Sequence, residues 1–248
     1  MSSLMALIRE RFRFTLWPTL FMIPALIFIL GLGVWQLERL VWKTNLIAER
    51  SSALAAPATP VPMTLDQARP LDFHRVVATG RFDNAHELYI GAFDGRGVEG
   101  FQIVTPLHLE DGHILLVNRG FVPAIRKDPA RRAEGQIEGE TSVEGILRLA
   151  VIPTGWLVPK NQPGDNFWIY VDIPAMTETL KLDNVLPYYV EAGPAPNPGG
   201  FPIGGQTRIA LPNDHLQYAL TWFSFAVTLI VIYLIYHYRR PEQDKPPT

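Results

Sequence analysis

The sequence predicts a membrane hairpin: two transmembrane α-helices enclosing an antiparallel β-rich soluble domain, barrel or sandwich-like. Three observations carry that prediction. Leu16 to Leu37 and Leu216 to Tyr236 hold no charged residue, and each is long enough to cross a hydrocarbon core of about 30 Å as a helix. The residues between them alternate apolar and polar in short runs broken by Pro, Gly and Asx turn signals, the pattern of half-buried strands. Removing two spans from 248 residues leaves one domain of ordinary size, able to bury its own core.

In chain order, residues 1–15 precede the first span, 16–37. That span is about twice the length of a signal-peptide apolar core. It runs into Trp35, Gln36, Leu37, Glu38 and Arg39 instead of a small-residue cleavage site, so it reads as an anchor. Residues 38–212 form the β-rich domain. Glu38 to Ser52 can continue the helix outward, and the Ala- and Pro-rich stretch 51–62 reads as a linker. Strands are expected at Phe73–Phe82, Glu87–Phe93, Phe101–Leu109, His113–Val122, Thr141–Leu149, Phe167–Val171 and Tyr188–Ala192, with a helix at Ile173–Leu180. Asp111-Gly112 is a two-residue turn signal that sets Leu109 opposite Ile114 and Leu107 opposite Leu116. Phe101, Ile103, Leu107, Leu109, Ile114 and Leu116 then share a buried face, and His108, Glu110 and His113 a solvated one. Residues 123–136 read as a loop carrying Arg126, Lys127, Arg131 and Arg132, either solvated or docking an acidic partner. Pro194 to Gly205 packs four prolines and four glycines into an irregular, mobile loop. The second span is 216–236 and the tail 237–248.

Bulk properties exclude several classes. A net charge of −2 suggests no nucleic-acid surface, and the absence of cysteine removes disulfides, thiolate zinc sites and cysteine nucleophiles. Gly95 to Gly100 spells G-x-G-x-x-G, but a strand follows where a dinucleotide site needs a helix, so it reads as a hairpin loop. No G-x-S-x-G, H-E-x-x-H or P-loop occurs. His74, His86, His108 and His113 lack ligand-like spacing and read as surface histidines. No catalytic set is visible, so the chain reads as a binding or scaffolding module and not an enzyme.

The chemistry that is present lies at the domain-side ends of the two spans. Trp35, Arg39 and Trp42 recur at i, i+4 and i+7, with Gln36 and Lys43 beside that face. On the second helix His215, Tyr218, Ala219 and Trp222 share a face, with Asn213 or Asp214 as N-cap. An imidazole with aromatics on one helix and cations with aromatics on the other suit a flat apolar ligand with anionic tails, such as haem. The same residues also suit an ordinary interfacial aromatic belt.

These residues belong to a longer likeness. Gly33-Val34-Trp35-Gln36-Leu37-Glu38-Arg39-Leu40-Val41-Trp42-Lys43 resembles the N-terminal signature of the surfeit locus protein family, assembly factors for cytochrome c oxidase. Further segments resemble its later motifs in order: Phe73, Arg75, Val76, Gly80 and Phe82; Gly100 to Leu107; Val117-Asn118-Arg119-Gly120-Phe121-Val122-Pro123; Val143, Gly145, Leu147 and Arg148; Trp168, Tyr170 and Asp172; and Asn213, His215, Leu216, Tyr218, Ala219 and Trp222. Phe121 stands where the family often has Trp. The resemblance implies a factor that binds haem a and aids its insertion into the catalytic subunit of a haem–copper oxidase, with His215 as the iron ligand. Haem a synthase is a further candidate partner, and the bilayer itself a third. A haem-free scaffold steadying the catalytic subunit is the competing expectation. A periplasmic sensor and a tethered hydrolase fit less well.

Flanking charge predicts orientation. Arg9, Arg11, Arg13, Arg239, Arg240 and Lys245 lie outside the spans on the terminal side, against Arg39, Lys43, Arg50 and Arg208 on the domain side. Positive residues favour the cytoplasm, so the domain is expected in the periplasm of a bacterium, held at the inner membrane. A reporter active only in the periplasm should work when fused near Pro198 and be silent after Thr248. The reverse pattern overturns this topology.

Overall fold

The computed structural model describes residues 12, 14–207 and 212–238. The terminal charges Arg9, Arg11, Arg13, Arg239, Arg240 and Lys245, and Arg208, lie outside the described residues. Two compact units result: one over Met1–Ala48 and Ala210–Thr248, whose described residues are mostly helical, and a domain over Glu49–Ile209.

Helix α1 runs unbroken over Leu16–Ala55. Forty residues reach about 60 Å at 1.5 Å per residue, twice a hydrocarbon core. Its apolar half and the 23-residue helix His215–His237 are both long and apolar enough to cross a membrane. The stretch read as a linker is therefore partly helix, and Thr59–Pro60 adds a short edge strand, β1.

The domain is built on strands β2 (Arg75–Phe82), β3 (Leu88–Phe93), β4 (Glu99–Leu109), β5 (Ile114–Pro123), β6 (Glu140–Arg148), β7 (Phe167–Trp168) and β8 (Val185–Ala192). A turn of helix α2, Leu65–Ala68, precedes β2, and α3, Ile173–Leu180, precedes β8. Strand order is β1-β2-β6-β8-β5-β4-β3-β7 with a further β2–β4 pairing. That last pairing closes β2, β6, β8, β5 and β4 into a barrel, antiparallel at every junction except the parallel β5–β8. The N-terminal half of β4 continues past the ring to carry β3, and β3 carries β7 in parallel.

Two apolar clusters explain the strand patterns. Val76, Ala78, Leu107, Leu115, Val117, Leu147, Tyr188 and Val190 fill the barrel. Leu88, Val104, Leu116, Trp168, Met176 and Tyr189 form a second core on its outside, under α3. Strand β5 is buried on both faces, so its sequence lacks the alternation that pins register. The hairpin register accordingly differs from expectation. Leu107 pairs with Leu115, not Leu116, and His108 with Ile114. Leu109 N–H donates to His113 O (2.9 Å), making the loop three residues long. Leu107 and Leu109 thus share the barrel interior with Leu115 and Val117, while Leu116 turns to the second core.

Other expectations change for identifiable reasons. Strand β8 begins before Pro187, where a proline argues against a strand. Strand β7 stops at Trp168 because Asn161 Oδ1 takes the Ile169 N–H (2.8 Å). Residues 194–205 are irregular, yet they are pinned. Ile203 exchanges both backbone hydrogen bonds with Phe121 (2.9 and 2.8 Å), and Gly205 N–H donates to Ala192 O (2.9 Å). Gly120, at φ +115°, makes room for this strap, since a Cβ there would lie 1.9 Å from Ile203 O. The G-x-G-x-x-G segment is the β3–β4 hairpin loop, where Asp94 Oδ1 accepts from Arg96 and Val98 N–H at 2.8 Å each.

The basic loop is not a free cationic surface. Arg132 is buried and forks onto Glu87, with Nη1 donating to Oε1 at 2.9 Å. Arg119 lies buried on the other side, its Nη1 4.0 Å from Glu87 Oε1 and its guanidinium 4.5 Å over the Phe82 ring. Burial lowers the Arg119 pKa to about 10 while Glu87 pulls it back up, so it stays charged at neutral pH. Lys127 sits over the Tyr89 and Phe101 rings (5.0 and 4.7 Å).

Glu87→Gln keeps the shape and leaves two buried cations without a counter-charge. It should cost about 3–5 kcal/mol. Arg75→Gln, which breaks the half-exposed Arg75–Glu144 pair, should cost less than about 1 kcal/mol. Denaturant unfolding followed by the fluorescence of buried Trp168 measures both.

Candidate functional site

The apolar, N-terminal half of α1 and the helix α4, His215–His237, form an antiparallel pair. Its contacts track down the two helices in register: Thr44 with Asn213 (3.2 Å), Gln36 with His215 (2.7 Å), Thr19 with Tyr233 (2.6 Å) and Thr15 with His237 (2.7 Å). Small residues allow the approach. Ala219 and Ala226 are buried in the seam, and a Cβ on Gly33 would lie 2.6 Å from the Phe223 ring.

His215 opens α4. Asp214 holds the N-cap position without a side-chain cap bond, and Asn213 reaches to Thr44 instead. The His215 Nδ1 meets Gln36 Oε1 at 2.7 Å. Gln36 is buried and His215 half-buried. An Nδ1–H donated to that carbonyl oxygen fixes the tautomer and turns the Nε2 lone pair outward, as in a metal-ligating imidazole. Among the described residues Nε2 makes no hydrogen bond.

The remaining candidates fall on one side of the pair. Taking Gln36 and His215 as facing positions, helix geometry turns Lys43, Arg39, Trp35 and Trp42 by about 20°, 60°, 100° and 120° to one side of α1, and Trp222 and Tyr218 by about 20° and 60° on α4. Because the helices are antiparallel, these two sides coincide. Arg39 lies across its own neighbours, 5.8 Å from the Trp35 ring and 5.1 Å from Trp42. Trp35, Arg39, Trp42 and Tyr218 are exposed, and Lys43 and Trp222 half-buried. Trp222 packs edge-on against Phe225 (5.9 Å). The structure joins His215 to Gln36 and Arg39 to the two tryptophans. No direct contact links the cations to the imidazole among the described residues.

Comparisons with known proteins give the family. The model of the SURF1 family matches residues 22–227, from inside α1 to inside α4. The chain belongs to the SURF1 family. It is 38% identical to human surfeit locus protein 1 over 84% of this chain and 72% of that one. It is 39% identical to the mouse protein over 82% and 70%, and 37% identical to a SURF1-like protein of Monosiga brevicollis over 86% and 85%. The SURF1 match takes in part of both helices, the whole barrel and every candidate residue from Trp35 to Trp222.

Sequence reasoning placed Gln36 beside the candidate face and missed its bond to His215. A polar residue at the end of an apolar span was the available signal. It also missed a cavity of about 330 Å³ in the domain, lined by Arg50, Phe73, Gln102, Asn118, Arg148 and Glu191. There the Phe73 ring, on a residue at φ +65°, is gripped between the guanidinium groups of Arg50 and Arg148 at 4.1 and 4.0 Å. These residues come from six separate segments, and no local pattern in sequence links them.

The Gln36–His215 contact can be tested directly. A double-mutant cycle with Gln36→Leu and His215→Leu, read from unfolding in mixed micelles, should give a coupling of about 0.5–1.5 kcal/mol, the range of interhelical hydrogen bonds in membranes. Additive effects would mean that the bond does not form.

Proposed function

We propose that this chain is an assembly factor for a haem–copper terminal oxidase. It holds haem a at the domain-side end of the helix pair and aids its insertion into the catalytic subunit. Membership of the SURF1 family supports the coarser role, in cytochrome c oxidase assembly. One observation carries the haem reading: His215 gives Nδ1 to Gln36 at 2.7 Å and leaves Nε2 open.

Haem a is cargo in this scheme. Its iron takes His215 Nε2, its ring packs on Trp35, Tyr218 and Trp222, and its propionates pair with Arg39 and Lys43. Trp42 steadies Arg39 by cation–π contact. A single axial histidine suits a carrier, which needs affinity high enough to prevent loss and low enough to release. The role is holding and handing on, without catalysis. The proposed setting is a bacterial inner membrane, crossed at 16–37 and 216–236, with the domain in the periplasm. The catalytic subunit is the receiving partner and haem a synthase a source of cargo.

Protein purified from cells that make haem a should carry a Soret band. His215→Ala should abolish it and leave the protein folded in the membrane. His108→Ala and His113→Ala, on the domain surface, should leave it intact. If wild type carries no haem while oxidase assembly still depends on the chain, the haem-free scaffold replaces this reading.

The cations give a second test. Each propionate contact is charge-assisted, worth roughly 1.5–3 kcal/mol. Arg39→Gln and Lys43→Gln should each weaken haem binding about tenfold or more in a detergent titration, with the Soret maximum unmoved. Unchanged affinity in both assigns these cations to lipid headgroups instead.

A further inference from the structure

Between β6 and β7 the chain makes a loop that no packing in the domain accounts for. Val151 is 77% exposed, Ile152 47%, Trp156 91% and Leu157 73%. Tryptophan carries more apolar area than any other side chain, and leaving one almost wholly in water beside three aliphatic residues is costly unless something covers it. The apex is displayed by fixed ends. Leu149 N–H donates to Asp72 Oδ1 (3.1 Å) at one side, and Asn161 binds Ile169 N–H (2.8 Å) and Tyr170 O (3.2 Å) at the other. Pro153 and Pro159 flank the tip.

We propose that residues 151–158 dip into the interface of the bilayer that the chain's own spans cross. Three observations select lipid as the occupant. First, the loop leaves the barrel directly after Arg148. The cavity beside Arg148 is lined by Arg50, where the chain comes into the domain, and by Gln206 and Thr207, where it departs. The loop thus springs from the end of the barrel at which both membrane tethers attach. Second, Leu54 lies along Glu144 to Ile146 while Arg50 and Arg148 share the Phe73 ring. Strand β6 therefore runs antiparallel to the end of α1, and its last residue lies beside Arg50, where the chain enters the domain. Third, the charge is right: no carboxylate occurs from Leu149 to Gly164, and Lys160 follows the apolar tip. A Trp and aliphatic tip with a flanking lysine and no acidic group suits the headgroup boundary of an anionic membrane.

The chain has no cysteine, so Thr154→Cys gives a single label site that keeps Trp156 and Leu157. Full-length protein carrying the fluorophore NBD at 154 is reconstituted into vesicles of phosphatidylcholine and phosphatidylglycerol, with and without brominated acyl chains. The expected result is blue-shifted emission that brominated chains quench by about twofold or more. The same label at Arg96→Cys, in the β3–β4 hairpin loop, should be neither shifted nor quenched. Adding Trp156→Gln and Leu157→Gln to Thr154→Cys should abolish the quenching. Water-like, unquenched emission at 154 overturns the proposal. A blue shift that brominated lipid fails to quench also overturns it, and assigns the loop to a protein surface. Neither outcome bears on haem, whose Soret band reads the helix pair separately.

Discussion

Glu87 lies sealed from solvent between the guanidinium groups of Arg119 and Arg132. The domain's irregular half hangs on it. Arg132 brings the loop after β5 inward, and its Nε and Nη2 also bind Arg126 O and Lys127 O. Arg119 binds Asn84 Oδ1, Gly135 O and Asn197 Oδ1, tying the turn before β3, the basic loop and the 194–205 strap to one strand. The backbone carbonyl of Glu87 accepts from Asn166, whose Oδ1 in turn receives Trp168 Nε1–H. Several kcal/mol are needed to desolvate each of these charges. They return it only when every donor is satisfied, so the network demands one arrangement of the loops.

That constraint explains what was legible in the sequence. Strands with one wet face, such as β2 and β6, alternate openly and were placed within two residues of their observed ends. The helix Ile173–Leu180 was read to the residue; in the structure Asp172 caps its start and a proline stands in its first turn. The pairing of β5 was not legible, because a strand covered on both faces reads as a plain apolar run. The fate of Arg132 was hidden for a different reason. A basic residue in a Pro- and Gly-punctuated loop looks solvated, and only a carboxylate 45 positions earlier in the chain says otherwise.

The candidate site was more readable than the fold around it, because helical periodicity is local. The i, i+4, i+7 spacing collected Trp35, Arg39 and Trp42, and Arg39 lies over both rings; the same rule collected His215, Tyr218 and Trp222. Periodicity on one helix cannot say which face meets its neighbour. The Gln36–His215 bond supplies that reference, and with it both sets turn to the same side of the pair. The cavity around Phe73 shows the opposite case. Its lining is assembled across the sheet by Gln102, Asn118, Glu191 and Arg148 on four adjacent strands, and nothing short of the tertiary fold brings them together.

A domain tied to a bilayer at both ends is already concentrated at that surface. The translational cost of meeting lipid is then met by the covalent tethers, and a contact too weak to recruit a free protein still sets orientation. Four exposed apolar side chains in residues 151–158 suffice for that task. With the loop contact proposed above, the barrel would have three points of attachment, the minimum that suppresses rocking. On the carrier function proposed above, such orientation would decide which side of the helix pair a receiving partner meets.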